Sequence, residues 1–296
     1  MTNRIKKIYV ISILLFVIMA LGLPGCKKRA TVAVPQNILH AKTASLQELL
    51  HVINLTNDIQ TLQAGIKAEY VSEEQEYDQI ELEKYPKAPG LILLKRPSTI
   101  YLVVQNPVLK KREISFLSKG NEFRVWIHGK RRFYIGNNNS KELISEDMTE
   151  KLKIPIRAAH LYQALLPDAV EKDNPEIRVS KIEDRDENTK YYILTVYRED
   201  DSLVIHPMRE IRIERAGLTI SRQRTFDDEG AVQADIIYSD VKPYGKYFLP
   251  GKIHLERPLD GYSLDLEFND WQINPEFKED IFTLEPPEGV EVIRFK

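Results

Sequence analysis

Hydrophobic positions follow three rhythms along the chain. Ile8 to Leu21 is an apolar run in which only Tyr9 and Ser12 carry a polar group. From Leu46 the spacing is helical: Leu46, Leu49, Leu50 and Ile53 fall at i, i+3, i+4 and i+7. Ser45-Leu46-Gln47-Glu48 is a capping-box pattern. Together they predict a first helix with one apolar stripe, wide enough to lie on a sheet. From Leu62 the period falls to two. Leu62, Ala64, Ile66, Ala68 and Tyr70 face one way; Gln63, Lys67 and Glu69 face the other.

The acidic stretch Glu73 to Tyr85 reads as strand ends and a turn, punctuated by Pro86, Pro89 and Gly90. Short strands then follow closely: Leu91–Leu94, Ile100–Val104, Arg112–Leu117, the alternating Phe123, Val125 and Ile127, and Arg132–Ile135 after Gly129. Short Gly and Pro turns between them predict an antiparallel meander. Past a polar loop (136–140) helical spacing returns from Pro155, a good first helical residue, with Ala158, Leu161, Tyr162 and Leu165 as its stripe.

The second half is strand again. Tyr191–Tyr197 is apolar on both faces, which predicts a central strand buried twice. Ile211 and Ile213 alternate with Arg212 and Glu214. Leu218–Phe226 and Val232–Tyr238 flank the turn Asp227-Asp228-Glu229-Gly230, and Ile253–Arg257 follows Pro250-Gly251. Tyr262, Leu264, Leu266 and Phe268 alternate without exception against Ser263, Asp265 and Glu267. The pattern predicts an α+β fold: one large, curved antiparallel sheet of about ten or eleven strands with two helices, and no βαβ rhythm.

The apolar run near the start changes the picture from fold to compartment. Arg4, Lys6 and Lys7 precede it, and the small residue Gly25 stands before Cys26. A basic n-region, a short h-region and a small residue before the cut describe a secretory signal. A membrane-spanning helix needs about 20 apolar residues; this run is shorter and is followed by Lys27, Lys28 and Arg29. Leu23-Pro24-Gly25-Cys26 resembles the lipobox of bacterial lipoproteins. That resemblance implies a lipidated Cys26 as the first mature residue, and Pro24 is a less usual occupant of its slot. Residues 1–25 are then a signal peptide, 26–42 a lipidated tether and 43–296 one domain.

Composition narrows the function classes. Apolar residues make up 43% of the chain and charged residues 29%, which argues against disorder, and the net charge of −2 excludes a general attraction for nucleic acid. Cys26 is the single cysteine, so no internal disulfide is possible. There is no Gly-x-Ser-x-Gly elbow, His-Glu-x-x-His, Walker loop or paired-cysteine spacing. The six histidines (40, 51, 128, 160, 206 and 254) are scattered singly. The chain reads as a non-enzyme with no cofactor and no metal. Two basic clusters remain, Lys110-Lys111-Arg112 with Lys130-Arg131-Arg132, and the arginines 209, 212, 215, 222 and 224. Most of the second set alternates with apolar residues as a solvated strand face does; the other reading is contact with anionic headgroups.

The order helix, meander, helical cover, meander resembles the LolA/LolB-like lipoprotein carriers. Three stretches carry the likeness: Leu93-Leu94-Lys95-Arg96-Pro97, the hairpin Ser118-Lys119-Gly120-Asn121-Glu122-Phe123-Arg124-Val125-Trp126, and the ending Asp280-Ile281-Phe282-Thr283-Leu284-Glu285-Pro286-Pro287-Glu288-Gly289-Val290-Glu291-Val292-Ile293. The likeness spans roughly residues 43–293 and implies an unclosed half-barrel whose helices cover the concave face over an apolar cavity for acyl chains. The cavity candidates are Ile66, Tyr70, Leu102, Phe116, Val125, Phe133, Ile213, Ile236, Tyr238, Tyr262, Leu264 and Phe268, with Ala158, Leu161 and Tyr162 from the cover. A filled core of the same residues is the competing reading.

If Cys26 is lipidated, the resemblance implies a membrane-anchored periplasmic lipoprotein that binds acyl chains of a lipid or lipoprotein in envelope trafficking, rather than a soluble shuttle. Lys27 is not the aspartate that retains enteric lipoproteins in the inner membrane, which favours the periplasmic face of the outer membrane. The alternative from another class is an envelope sensor or structural lipoprotein that binds a protein partner through a sheet edge or the concave face.

Overall fold

The sheet begins where the hydrophobic period changes, and its first strand is the one on which the two halves of the chain meet. The computed structural model describes residues 40–76, 79–138, 157–171 and 173–295. The signal segment, Cys26, most of the 26–42 stretch and Pro155 lie outside them. Helix α1 (Leu46–Asn54) starts at the expected cap: Ser45 Oγ accepts from the Glu48 N–H at 3.3 Å, and Glu48 Oε2 accepts from the Ser45 N–H at 2.7 Å. After a 3₁₀ turn (Leu55–Asp58), strand β1 (Thr61–Glu76) pairs antiparallel with β2 (Gln79–Lys95) on one side and β15 (Tyr262–Ile273) on the other.

The first meander runs from β2 through β3 (Thr99–Gln105), β4 (Arg112–Lys119) and β5 (Glu122–Ile127) to β6 (Arg132–Asn137). The second runs through β7 (Ile177–Arg185), β8 (Lys190–Glu199), β9 (Ile205–Glu214), β10 (Thr219–Phe226), β11 (Val232–Ser239) and β14 (Lys252–Arg257) to β15. A short strand β16 (Glu291–Arg294) lies parallel to β6; every other neighbouring pair is antiparallel. The result is one curved, unclosed sheet in the order β16-β6-β5-β4-β3-β2-β1-β15-β14-β11-β10-β9-β8-β7, with β12 (Lys242–Tyr244) and β13 (Tyr247–Leu249) forming a separate hairpin. It is the α+β fold expected, but with 14 strands in the main sheet rather than ten or eleven. β7 and β16 are among the additions. Strand β7 is charged on both faces and so shows no clean alternation.

Cross-strand register carries the apolar pattern across the sheet. One row runs Tyr134–Val125–Phe116–Leu102–Ile92–Ala64. Another runs Tyr70–Leu264–Leu255–Ile236 and on to Gln223, Ile211 and Leu194. These rows share one face, called inner here because both helices lie on it. Leu49, Leu50 and Ile53 of α1 pack with Tyr192, Leu194, Val196, Ile211 and Ile213. The second helix, α2 (Ala158–Leu165), packs its buried Ala158, Leu161, Tyr162 and Leu165 with the rows of the first meander and of β11, β14 and β15. Its N-cap is Arg157, and the start expected at Pro155 lies outside the described residues.

Three expectations are corrected. Pro86, Pro89 and Gly90 do not end a strand but lie inside the 17-residue β2. Strand β3 pairs only with Gly90–Lys95, so the earlier part of β2 has one free edge, where a proline nitrogen costs no ladder bond. Gly90 itself is required, since a Cβ there would strike the Val103 carbonyl. Second, Tyr191–Tyr197 is not central. It is next to the edge, with Tyr192, Leu194 and Val196 buried and the other face half-buried. Arg212 covers Tyr191 instead, its guanidinium 4.4 Å from the ring centre. Third, Phe133 faces away from the helices. It pairs with Trp126, whereas Tyr134 pairs with Val125, so Tyr134 takes the inner position. Phe133 is fully buried under Phe282 and Leu284, where residues 277–290 cross the outer face of β2–β6.

Candidate ligand-binding site

The inner face beneath α2 gathers most of the residues expected to line a cavity. Ile66, Tyr70, Phe116, Val125, Ile236, Tyr262 and Leu264 are buried there with Ala158, Leu161 and Tyr162, and Leu102, Tyr238 and Phe268 pack against them partly buried. Ile213 belongs to the neighbouring cluster under α1, and Phe133 to the opposite face. The clean alternation of β15 holds: Tyr262, Leu264 and Leu266 are buried, Phe268 is half-buried, and Asp265 is exposed. Tyr70, Tyr85 and Tyr262 form an aromatic run, with ring centres 5.6 and 5.7 Å apart.

Three polar contacts tie α2 and its following loop to the sheet. His160 Nδ1 lies 2.6 Å from the Tyr262 hydroxyl, the Tyr238 hydroxyl donates to the Ala164 carbonyl at 3.1 Å, and Arg209 Nη1 donates to the Asp168 carbonyl at 2.7 Å. Burial holds His160 well below the ordinary histidine value; the charge of Arg257 adds to this and Asp260 opposes it. His160 is therefore a neutral, packed imidazole. Burial pushes the Tyr238 and Tyr262 hydroxyls up, so they act as hydrogen-bonding groups and not as acids.

Arg209 is the residue that charge-cluster reasoning misplaced. Arg212, Arg222 and Arg224 do lie on the outer face, each with a carboxylate: Arg212 with Asp184 at 2.6 Å, Arg222 and Arg224 with Asp235. Arg215 pairs with Glu183 at 2.8 Å. Burial would raise Asp235, but Arg222 and then Arg224 hold it below the ordinary carboxylate range. Arg209 instead shares the inner face and is 9% exposed. The signal was present: Arg209 is in phase with Ile211 and Ile213, and strand alternation puts all three on one face. Around it Gln223 and Thr225 are also buried. Arg209 Nε and Nη2, Gln223 Nε2, Thr225 Oγ1 and the Tyr162 hydroxyl are all buried without a hydrogen-bond partner.

An open cleft of about 950 Å³ lies beside α1, lined by Gln47, Leu50, His51 and Asn54 and by residues after α2 such as Val170 and Glu171. Among the described residues no three His, Cys, Asp or Glu side chains come together to hold a metal ion. No helix among them is long and apolar enough to cross a membrane.

Residues 245–296 match the family described as "Predicted periplasmic protein (DUF2092)". Among solved structures, the chain is similar to a LolA superfamily protein from Nitrosomonas europaea, with 13% identity, 82% of this chain and 99% of that chain covered, and a TM-score of 0.46. It is similar to a DUF1329 family protein from Desulfovibrio piger at 9% identity, covering 85% and 98%, with a TM-score of 0.49. An outer membrane lipoprotein-sorting protein domain from Vibrio parahaemolyticus is similar at 11% identity, covering 80% and 97%, with a TM-score of 0.47. No match is found among curated proteins. These are likenesses of chain path at low identity, and no residue's role is carried over from them.

Proposed function

We propose that this chain is a periplasmic binding protein, not an enzyme, that holds an acyl chain of a lipid or lipoprotein between the inner face of the sheet and α2, tethered to the membrane through a lipidated Cys26. The observation that carries the reading is the group of buried polar atoms without partners on an otherwise apolar face: the Tyr162 hydroxyl on α2 and the Arg209, Gln223 and Thr225 atoms on the sheet. A finished core satisfies its buried polar groups; a surface that awaits a ligand does not. The apolar rows supply the driving force. An acyl chain gains about 0.8 kcal/mol per buried CH₂, on the order of 12 kcal/mol for a ~16-carbon chain.

Native mass spectrometry of the chain from Thr31 onward, purified without detergent, tests the reading. Co-purifying lipid, or saturable uptake of a fluorescent fatty acid that Ala158→Trp blocks, is the expected result. A folded protein that takes up no acyl probe at micromolar concentration would overturn it. Metabolic labelling with a fatty acid tests the anchor: the label should be lost in Cys26→Ser.

A second reading, a protein partner added along the free edge, has an observation of its own. On edge strand β7 Ile182 is exposed, and Leu203, Val204 and Ile205, at the β8–β9 turn one strand further in, are exposed as well. Absence of lipid together with capture of a strand-forming peptide would favour it.

A further inference from the structure

Arg209, Thr225 and Gln223 occupy two adjacent inner-face rows. Register places them in the order Val196–Arg209–Thr225–Ala234 and Ile211–Gln223–Ile236, so that apolar residues bound the polar group on both sides. All three are at least nine-tenths buried: Arg209 is 9% exposed, Thr225 5% and Gln223 1%. Arg209 Nη1 is used by the Asp168 carbonyl just beyond α2. That bond explains one nitrogen of the guanidinium. It leaves Nε and Nη2, which sit alongside Gln223 Nε2 and Thr225 Oγ1, equally unpartnered.

Every atom left over can donate a hydrogen bond, and one fixed positive charge stands among them. The arginines at 212, 215, 222 and 224 each have a carboxylate partner, and Arg209 has none among the described residues. The acidic residue Asp168 meets it through the backbone carbonyl and not the carboxylate. A guanidinium paired only to a loop carbonyl, with a surplus of donors around it, is the complement of an anionic oxygen. Fastening the loop after α2 would by itself require neither Gln223 nor Thr225.

We infer that Arg209, Gln223 and Thr225 form a headgroup subsite that takes the carboxylate or phosphate oxygens of an amphipathic lipid whose acyl chain lies along the apolar rows. The subsite rests on the acyl-binding reading above and specifies its ligand: an anionic lipid, bound with its head toward β9 and β10 and its tail toward β11, β14 and β15. The strand order β15-β14-β11-β10-β9 sets that direction, since the apolar rows under α2 lie on the β15 side of the polar group.

The test uses the full chain in isolated membranes and two photoactivatable probes of equal length, a diazirine fatty acid and the corresponding fatty alcohol. The wild type should label saturably with both and favour the carboxylate at least tenfold. In Arg209→Met the carboxylate-over-alcohol ratio should fall to near one; in Gln223→Leu and Thr225→Val it should fall about threefold. The two single-residue variants on β10 keep the test open if Arg209→Met does not fold. Competition with lysophosphatidate should displace the carboxylate probe, whereas millimolar acetate or inorganic phosphate should not. Displacement by the free anions would overturn the headgroup assignment in favour of a small-anion site. An unchanged ratio in folded Arg209→Met would overturn the subsite and leave acyl binding standing. Failure of both probes to label the wild type would overturn the acyl reading and the subsite together.

Discussion

Leu264 and Asp265 are adjacent on β15, and the fold assigns them opposite fates. Leu264 is 3% exposed and lies between Leu255 of β14 and Tyr70 of β1. Leu264→Ala removes three carbons, each worth about 0.8 kcal/mol of transfer, and leaves a void the surrounding strands cannot close. The sum is about 3–4 kcal/mol. For a domain of this size that lowers the melting temperature by about 6–15 °C. Asp265 is exposed and meets His254 Nδ1 at 2.8 Å. A solvent-screened pair of this kind is worth less than about 1 kcal/mol, so Asp265→Ala should shift melting by at most a few degrees. Circular dichroism melts of the two variants and the wild type, at one pH and salt concentration, make the comparison. Equal shifts, or a larger one for Asp265→Ala, would show that β15 is paired one residue out of register, because a one-residue slip exchanges the faces.

Other outcomes follow from single contacts. Tyr162→Phe deletes a buried hydroxyl that has no partner, so urea unfolding should show stability unchanged or raised by about 1 kcal/mol, while Leu161→Ala at a 1% exposed position should lose about 2–4 kcal/mol. Phe282→Ala should cost about 3–5 kcal/mol, because Phe282 packs with Leu284 over Leu93, Leu117 and Phe133; a change below 1 kcal/mol would mean that the outer cover is not fixed. His160 is held neutral by burial and by Arg257, so the unfolded chain takes up a proton near pH 6.5 that the folded chain refuses. Its contribution is therefore complete above about pH 6.5 and is lost as pH falls, with a slope of up to about 1.4 kcal/mol per pH unit. Unfolding midpoints from pH 7 to 4.5 should fall less steeply in His160→Gln, and parallel curves would refute the assignment.

Much of the sheet was legible because period two reports which side chains share a face within a strand. Tyr262 to Phe268 and Leu62 to Tyr70 needed nothing else, and their union across β1 and β15 follows once the two faces are known. What alternation does not contain is the offset between strands. Phe133 and Tyr134 are both aromatic and both buried. The turn from His128 to Arg131 sets which of them faces α2, and Arg131 closes it with a φ of 52°. Arg209 shows the reverse. Its phase with Ile211 was plain, but a run of arginines read as a set hid the one member on the apolar side. The same rule misses β7, where the edge position removes the need for an apolar stripe.

The two faces of the sheet are covered by different means, and the difference bears on which one can open. On the outer face of β2–β6 the cover is chain that is itself part of the sheet. Residues 277–290 lead into β16, which pairs with β6, and Arg124 holds the Leu284 carbonyl at 3.0 Å together with the Glu285 carboxylate, while Arg132 meets Glu291 at 3.1 Å. Lifting this cover breaks a strand pairing, ion pairs and aromatic packing together. On the inner face of the first meander and of β11, β14 and β15 the cover is α2, an eight-residue helix tied to the sheet by the His160, Ala164 and Asp168 contacts. A helix that short is marginal by itself, and segments with few such ties are the ones that open at low cost. Two of the three ties end on groups the proposed ligand would engage or border, Arg209 and Tyr238. An anionic headgroup in the proposed subsite would take the Arg209 Nε and Nη2 that the Asp168 carbonyl leaves free, with the tail along the apolar rows. The proposed ligand would thus add bonds beside those that hold α2 rather than take them over.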